Sequence, residues 1–485
     1  MVENSEENRE KCVCPDCPSF PHDCNREILY CATGNSKCDI DAKGCNCSSC
    51  PVYSENDLKE LYFCDKVEVE KIKMRKKKSD EDKTFYQTVA DIKNIAANGK
   101  NIIRSMGSLK KMPFSFDDLH FIPAQVEKIP LNSDENVNTE ITIGPDSKKP
   151  LKLSSPIMIS GMSFGATSRN VRLVIANVAS KLRIAFNSGE GGILDEELKL
   201  AANYLIGQYA TGMFGINEDI IKKVAAVEIR FGQGAYPGKG SYLPEAKVTP
   251  EIAKIRGIQG IEAVYSPAHY PDMKNPKEIK EKIDWLRKLT DGTPIGAKIG
   301  CGNIEKDIQV LVDAGVDFIA IDGFGGGTGA TDYCVRENVG VPIIAALPRA
   351  SRYLNEIGAK EKISLIAAGG LRTSADFVKC LALGADAIYI GTAALIAINC
   401  EQYRICHTGL CPTGVTTHDP VLSKQLDLNE GIRKLSNFIR VSTQEIANFT
   451  RISGKDDIRK LDCDDMISMN RDLARITGTK WLDGE

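Results

Sequence analysis

The chain has almost no charge surplus: 62 Lys and Arg stand against 65 Asp and Glu, the net charge is −3 and the pI is near 6.1. That balance excludes a general electrostatic pull toward nucleic acid or an anionic membrane. No apolar run reaches the ~18–20 residues that a membrane span needs. The opening residues, MVENSEENREKC, are polar and offer no apolar core for a signal peptide. A soluble, cytoplasmic protein is therefore expected. At 485 residues there is room for one large α/β barrel and smaller domains.

What the chain has in excess is cysteine. Ten of its 17 cysteines fall in the first 64 residues, at Cys12, Cys14, Cys17, Cys24, Cys31, Cys38, Cys45, Cys47, Cys50 and Cys64. In a secreted module this density would mean disulfides; joined to an enzyme-like body and without a signal core, it points to metal ligation. Residues 12–20 read CVCPDCPSF and residues 45–53 read CNCSSCPVY. Both fit Cys-x-Cys-x-x-Cys-Pro-x-aromatic, so Cys12, Cys14 and Cys17 are echoed by Cys45, Cys47 and Cys50. The echo implies two half-sites or two clusters in a domain spanning residues 1–64. The spacing is not that of the common ferredoxin run, and both zinc and iron–sulfur stay open.

Residues 65–150 are expected to form a linker and a β lead-in. They carry the basic run Lys71 to Lys78, KIKMRKKK, with acidic flanks. A nucleic-acid arm is one reading; a solvated linker face, or a docking patch for an acidic electron carrier, suits so short a run better. A helix-like stretch follows from Phe85 to Ser105, and residues 116–150 alternate apolar and polar around turn residues.

From Pro156 onward, short apolar runs alternate with helix-length periodic segments. The candidate strands are residues 156–160, 184–188, 205–209, 227–231, 295–299, 317–321, 364–368 and 387–391. Eight such units in about 235 residues predict a (β/α)8 barrel over residues 151–420 rather than an open sheet. Residues 421–485 are expected to add short helices outside it, with Cys463 an ordinary core thiol. Glycine clusters close successive strands: Gly161-Met162-Ser163-Phe164-Gly165, Gly189-Glu190-Gly191-Gly192, Gln233-Gly234-Ala235-Tyr236-Pro237-Gly238, and Asp322-Gly323 through Gly329. One such cluster is an ordinary βα turn; several at one end of a barrel let the backbone approach a flat ring.

The densest stretch is Ile363 to Val415. Two apolar runs end in Gly369-Gly370 and in Gly391-Thr392, each before a helical segment, a pairing suited to a phosphate. Cys400, Cys406 and Cys411 follow at once, thiols of the kind a metal cluster requires.

These motifs, SGMSFGATS, FNSGEGG, GQGAYPGKG, DGFGGGTGATD and CEQYRICHTGLCPTGVTT among them, resemble the flavin-binding domain of glutamate synthase in its archaeal stand-alone form, over roughly residues 110–480. The resemblance implies FMN and a [3Fe–4S] cluster on Cys400, Cys406 and Cys411. It places the FMN phosphate on Gly369, Gly370, Gly391 and Thr392, with Gly326 and Gly327 also around the cofactor. Gly161, Met162 and Ser163 would line the ring face, and Gln208 and Lys298 would contact the ring. Glu190 and Lys298 would be the catalytic groups. An oxidoreductase of the CH–NH2 class follows, passing electrons from ferredoxin or a partner subunit through the cluster to FMN for reductive amination of 2-oxoglutarate or a related oxo acid or imine. Ammonia would come free or from a separate glutaminase subunit, since no such domain is expected within the chain, and an oligomer is expected.

The chain departs from the family where the substrate should bind. Tyr236 and Tyr242 stand where the family has a lysine and a glutamine, and of that trio only Arg256 remains. Each interaction lost should weaken capture of a dicarboxylate by ~1–3 kcal/mol. The tyrosines could admit a larger or less charged substrate, or pack against each other as loop filling. Two rival functions are an electron-transfer subunit without small-molecule chemistry, and a zinc-bearing module that binds RNA through Lys71–Lys78.

Overall fold

Short runs of Ile, Val, Ala and Leu flanked by amphipathic helices suit a parallel sheet whose faces are both covered, either an open doubly wound sheet or a barrel inside a ring of helices. The computed structural model, which describes residues 2–24, 27–41, 43–65 and 80–483, has that barrel in the second of two compact units, Met1–Lys100 and Asn101–Glu485. Its strands are β1 (Ile157–Ile159), β2 (Phe186–Asn187), β3 (Leu205–Ala210), β4 (Ala226–Arg230), β5 (Ile295–Gly300), β6 (Phe318–Asp322), β7 (Ser364–Ala368) and β8 (Ala387–Ile390). All eight fall on the expected runs, and β8 pairs back onto β1 to close the barrel. Nearly every residue of β1 through β8 is buried, so the strands alternate between the barrel interior and the helix ring rather than between core and water.

The barrel's lower end is stoppered by a hairpin, Ile141–Ile143 against Leu151–Leu153. Its turn glycine, Gly144, has φ +63 and packs against Pro294 and Asp317 at the starts of β5 and β6. The mouth at the strand C-termini stays free for a site. Leu119–Phe121, from the same lead-in, pairs with Met466–Ser468 near the C-terminus. The C-terminal extension is not made only of short helices. It contains a 25-residue helix, Leu428–Ile452, capped by Asp427 and packed along helix Arg169–Leu182. Leu435, Ile439 and Ile446 recur at helical spacing and are fully buried, which accounts for its length.

In the first unit, the helix after the linker runs from Asp80 to Asn98 and stops at Gly99, whose φ is +60, short of the expected end at Ser105. The Lys71–Lys78 run lies outside the described residues. Among the described residues no helix is long and apolar enough to cross a membrane.

Candidate functional site

The loops after β1 and β2 pack backbone against backbone. A Cβ on Gly161 would lie 2.7 Å from Asn187 Oδ1, and one on Gly189, at φ +64, would lie 2.6 Å from the Ser163 nitrogen. Only glycine permits that approach. Arg172, on helix Arg169–Leu182, clamps the two loops by donating to the carbonyls of Met162 (2.6 Å) and Ser188, while a buried ion pair with Glu197 (2.7 Å) holds the guanidinium.

Across the mouth lie the loops after β6, β7 and β8. Gly369 has φ +116, and a Cβ there would sit 2.5 Å from the Gly323 nitrogen. A Cβ on Gly327 would come within 2.9 Å of Thr392 Oγ1. At Gly370 and Gly391 the nearest atoms stand 3.5 and 3.9 Å away, so a side chain would project into the cavity. Gly326, Gly327, Gly369, Gly370, Gly391 and Thr392 thus line one cavity, with Gly161, Met162, Ser163 and Gln208 on its other walls. A cavity lined at one end by the Gly369-Gly370 and Gly391-Thr392 turns, the latter opening helix Thr392–Ile398, and at the other by closely packed glycines fits a phosphorylated planar cofactor.

Inside the barrel, Glu228 on β4 accepts from Asn187 Nδ2 (2.8 Å) and Gln208 Nε2 (2.9 Å). Lys298 on β5 stands just behind the wall formed by Ser160 and Asp322, ion-paired to Asp322 (3.1 Å) and 3.4 Å from Ser160 Oγ. Burial disfavours its ammonium, but Asp322 and Glu228 outweigh that, and its pKa lies above the ordinary lysine value. A permanent cation is thereby held within one side chain of the cavity.

Glu190 is more constrained than its sequence motif suggested. Its Oε1 accepts from the Gly212 nitrogen (3.0 Å); its Oε2 accepts from Arg230 (2.7 Å), Ser266 Oγ (3.3 Å) and Ser241 Oγ. A carboxylate tied to four donors is suited to positioning neighbours. Arg230, which the strand run VEIRF gave no reason to single out, also donates to Tyr236 Oη at 2.8 Å. Tyr236 and Tyr242 both line the cavity, yet they do not pack on each other. Tyr236 is engaged with Arg230, and Tyr242 stacks on Tyr265 with centroids 4.7 Å apart. Arg256 binds the first two loops through Phe164 O (2.8 Å), Glu190 O (3.3 Å) and Ser163 Oγ (3.3 Å). These bonds use Nη2 and Nε; among the described residues Nη1 makes no hydrogen bond, and the residue lines the cavity. Burial brings its pKa down to about 10.

Cys400 and Cys406 line this same cavity, and Cys411 is buried beside them. The loop that carries them is pinned by Ser105, whose hydroxyl accepts from the His407 nitrogen (2.9 Å) and meets His407 Nδ1 (2.7 Å). The neighbouring Met106 and Gly107 complete the cavity wall, a contribution with no signal in the linker composition. Two of the thiols have hydrogen-bond donors beside sulfur, although burial pushes Cys400 up. Gln402 N–H lies 3.4 Å from Cys400 Sγ, and Thr413 Oγ1 lies 3.4 Å from Cys411 Sγ. Burial alone would raise Cys411, but the Thr413 and Thr416 hydroxyls outweigh it and bring it down to about 7. Lys247, donating to Ala166 O at 2.6 Å, faces Cys406 and Cys411; burial lowers it to about 8 while the thiols oppose that fall. Among the described residues no three His, Cys, Asp or Glu side chains converge as one metal ion would need. A cluster makes a looser demand, because its own iron and sulfide separate the thiolates. The Cys400, Cys406 and Cys411 set fits such a group.

The remaining metal candidates, Cys12, Cys14, Cys17, Cys45, Cys47 and Cys50, line one apolar-walled cavity within the first unit, joined there by Cys31 and Cys64. Cys24 and Cys38 stand apart from them: their Cα atoms are 6.1 Å apart and they form a disulfide, so metal ligation does not account for all ten cysteines.

Residues 86–456 match the family described as a conserved region in glutamate synthase. Residues 12–65 match a family described as a protein of unknown function. A glutamate synthase large subunit-like protein of Rhizobium meliloti is 36% identical over 423 residues, covering 82% of this chain and 95% of the relative. An archaeal glutamate synthase [NADPH] of Methanocaldococcus jannaschii is 37% identical over 418 residues, 80% of each chain. An archaeal-type glutamate synthase [NADPH] of Thermotoga maritima is 39% identical over 330 residues, 67% of this chain and 64% of the relative. Among solved structures, a soluble mutant of the membrane-associated (S)-mandelate dehydrogenase from Pseudomonas putida is similar at TM-score 0.45 and 15% identity, over 72% of this chain and 88% of that one.

Proposed function

We propose a function from one premise: the chain belongs to the glutamate synthase family and is a glutamate synthase-like oxidoreductase. Its barrel would hold FMN and a [3Fe–4S] cluster, take electrons from ferredoxin or a partner subunit, and reductively aminate 2-oxoglutarate or a related oxo acid. The observation that carries this is that Cys400 and Cys406 share one cavity with the Gly369-Gly370 and Gly391-Thr392 turns. FMN, when bound, supplies hydride transfer to a carbon centre and one-electron exchange with a neighbouring cluster. Gly369, Gly370, Gly391 and Thr392 would hold its phosphate; Gly161, Met162 and Ser163 its ring face; Gln208 and Lys298 its polar edge. The charge on Lys298, fixed by Asp322, favours electron density at that edge. Cys400, Cys406 and Cys411 would ligate the cluster.

At the substrate end, Arg256 offers Nη1 to one carboxylate, and Glu190 orients Arg230 and Tyr236 beside it. With Tyr236 and Tyr242 lining that end, an oxo acid carrying a single anionic group, or a bulkier side chain than 2-oxoglutarate, is better matched than the dicarboxylate. Stopped-flow mixing of the reduced protein with ammonia and a series of 2-oxo acids tests this. The expected result is flavin reoxidation, faster for monocarboxylic oxo acids than for 2-oxoglutarate. Fastest reoxidation by 2-oxoglutarate would overturn the altered preference, and none by any oxo acid would overturn the enzymatic assignment in favour of an electron relay.

A further inference from the structure

The eight cysteines around the cavity of the first unit form two sets that repeat in the sequence. Cys12, Cys14, Cys17 and Cys31 recur 33 residues later as Cys45, Cys47, Cys50 and Cys64. The repeat extends to conformation. Cys14–Asp16 and Cys47–Ser49 are matching 3-10 turns, closed by Cys17 N–H to Cys14 O and Cys50 N–H to Cys47 O, both 3.0 Å. Leu29 and Tyr62, again 33 apart, share the left-handed conformation at φ 63 and 55, rare for residues with such side chains. In each repeat the strained turn aims backbone N–H groups at sulfur: Leu29 and Tyr30 at Cys12 and Cys14, Tyr62 and Phe63 at Cys45 and Cys47. The Tyr62 nitrogen lies 3.3 Å from Cys45 Sγ. Successive N–H groups around such a turn make a nest for anions, including metal-bound thiolates.

The third cysteine of each repeat crosses over. Cys17 Sγ donates to Gly44 O at 3.6 Å, immediately before the second repeat's Cys45. Cys50 Sγ points to Lys11 O at 4.0 Å, immediately before the first repeat's Cys12. Cys31 neighbours Cys12 and Cys50, and Cys64 neighbours Cys17 and Cys45.

We propose that residues 12–64 hold two iron–sulfur clusters in a swapped arrangement, one on Cys12, Cys14, Cys31 and Cys50, the other on Cys45, Cys47, Cys64 and Cys17. Each cluster takes three thiolates from one repeat and one from the other, so neither repeat is complete alone. Clusters suit the spacing better than single ions do. Around one zinc, bonded at about 2.3 Å, thiolates stand roughly 3.8 Å apart, and no three of these side chains converge so. Cys24 and Cys38, bonded to each other and without counterparts in the repeat, are not ligands.

The test is iron, acid-labile sulfide and zinc per chain in the anaerobically purified full-length protein and four serine variants. Cys12→Ser should remove one cluster's worth of iron, half of what the first unit holds. Cys12→Ser/Cys50→Ser should remove no more than that, because both ligands serve one cluster. Cys12→Ser/Cys17→Ser should remove twice as much, although its two positions lie in one repeat. Cys38→Ser should leave the metal unchanged. Mössbauer spectra of the unaltered protein, which need no variant to fold, should show thiolate-ligated iron beyond the barrel's own cluster. Zinc without iron in the first unit would overturn the proposal. So would equal losses from Cys12→Ser and Cys12→Ser/Cys17→Ser, which would mean unswapped sites. Neither outcome bears on the barrel's FMN or on Cys400, Cys406 and Cys411.

Discussion

Replacing Arg230 with methionine isolates the ion pair at the substrate end of the barrel. Arg230 and Glu190 lie 2.7 Å apart, each with its side chain 4% exposed. Removing one partner of a buried pair costs about 3–5 kcal/mol, because the other charge is left without compensation. Here Glu190 keeps the Gly212 nitrogen and two serine hydroxyls, so the lower end, about 3 kcal/mol, is expected. The two tryptophans, Trp285 and Trp481, both belong to the barrel unit. Denaturant titration followed by tryptophan fluorescence therefore reports that unit alone. The Glu190→Leu/Arg230→Met double variant should cost at least about 1 kcal/mol less than the sum of the singles, since it leaves no unpaired charge. A loss below about 1 kcal/mol for Arg230→Met, or singles that add to within about 0.5 kcal/mol, would refute the account of Glu190 as a saturated positioning group.

Two further outcomes follow from local geometry. Gly369→Ala combines a left-handed backbone with a Cβ 2.5 Å from the Gly323 nitrogen; it should destabilise the barrel by ~2 kcal/mol or more and strip flavin from the purified protein. Gly340→Ala, at φ +109 with its nearest atom 3.7 Å away, carries the backbone strain alone and should keep its flavin; equal flavin loss in both variants would contradict the placement of the phosphate. His418, whose Nε2 lies 3.1 Å from Gly165 O, is brought down to about 4, chiefly by burial. Between about 6.5 and that value the unfolded chain takes a proton that the folded chain refuses, so stability falls as pH falls, by up to ~3 kcal/mol. Denaturation midpoints should drop from pH 7 to pH 4.5, and drop less in His418→Gln.

Much of the barrel was visible in the sequence because parallel strands buried on both faces leave near-continuous apolar runs, as in SLIAA, followed by Gly369, and DFIAI, followed by Asp322-Gly323. The cofactor walls were visible for a related reason: positive φ and close backbone approach at Gly189 and Gly369 admit little else. Arg230 was hidden because a charged residue at the end of a strand run looks the same whether it meets solvent or a buried carboxylate. Met106 and Gly107 were hidden because their role comes from a long-range pairing, Ile103–Arg104 with Thr331–Asp332, that no local pattern announces. Cys31 and Cys64 fell outside the short cysteine motif, but they share its 33-residue spacing, and the matching left-handed turns at Leu29 and Tyr62 confirm that they belong to the repeat.

The central claim is that Cys400, Cys406 and Cys411 hold iron beside a flavin. EPR of the oxidised, anaerobically purified protein tests it most directly, because a [3Fe–4S]+ cluster is paramagnetic in that state while all-cysteine four-iron clusters are silent. The account predicts a [3Fe–4S]+ signal that Cys406→Ser abolishes while FMN stays bound. A flavin-free protein, or a signal that survives Cys406→Ser unchanged, would contradict it.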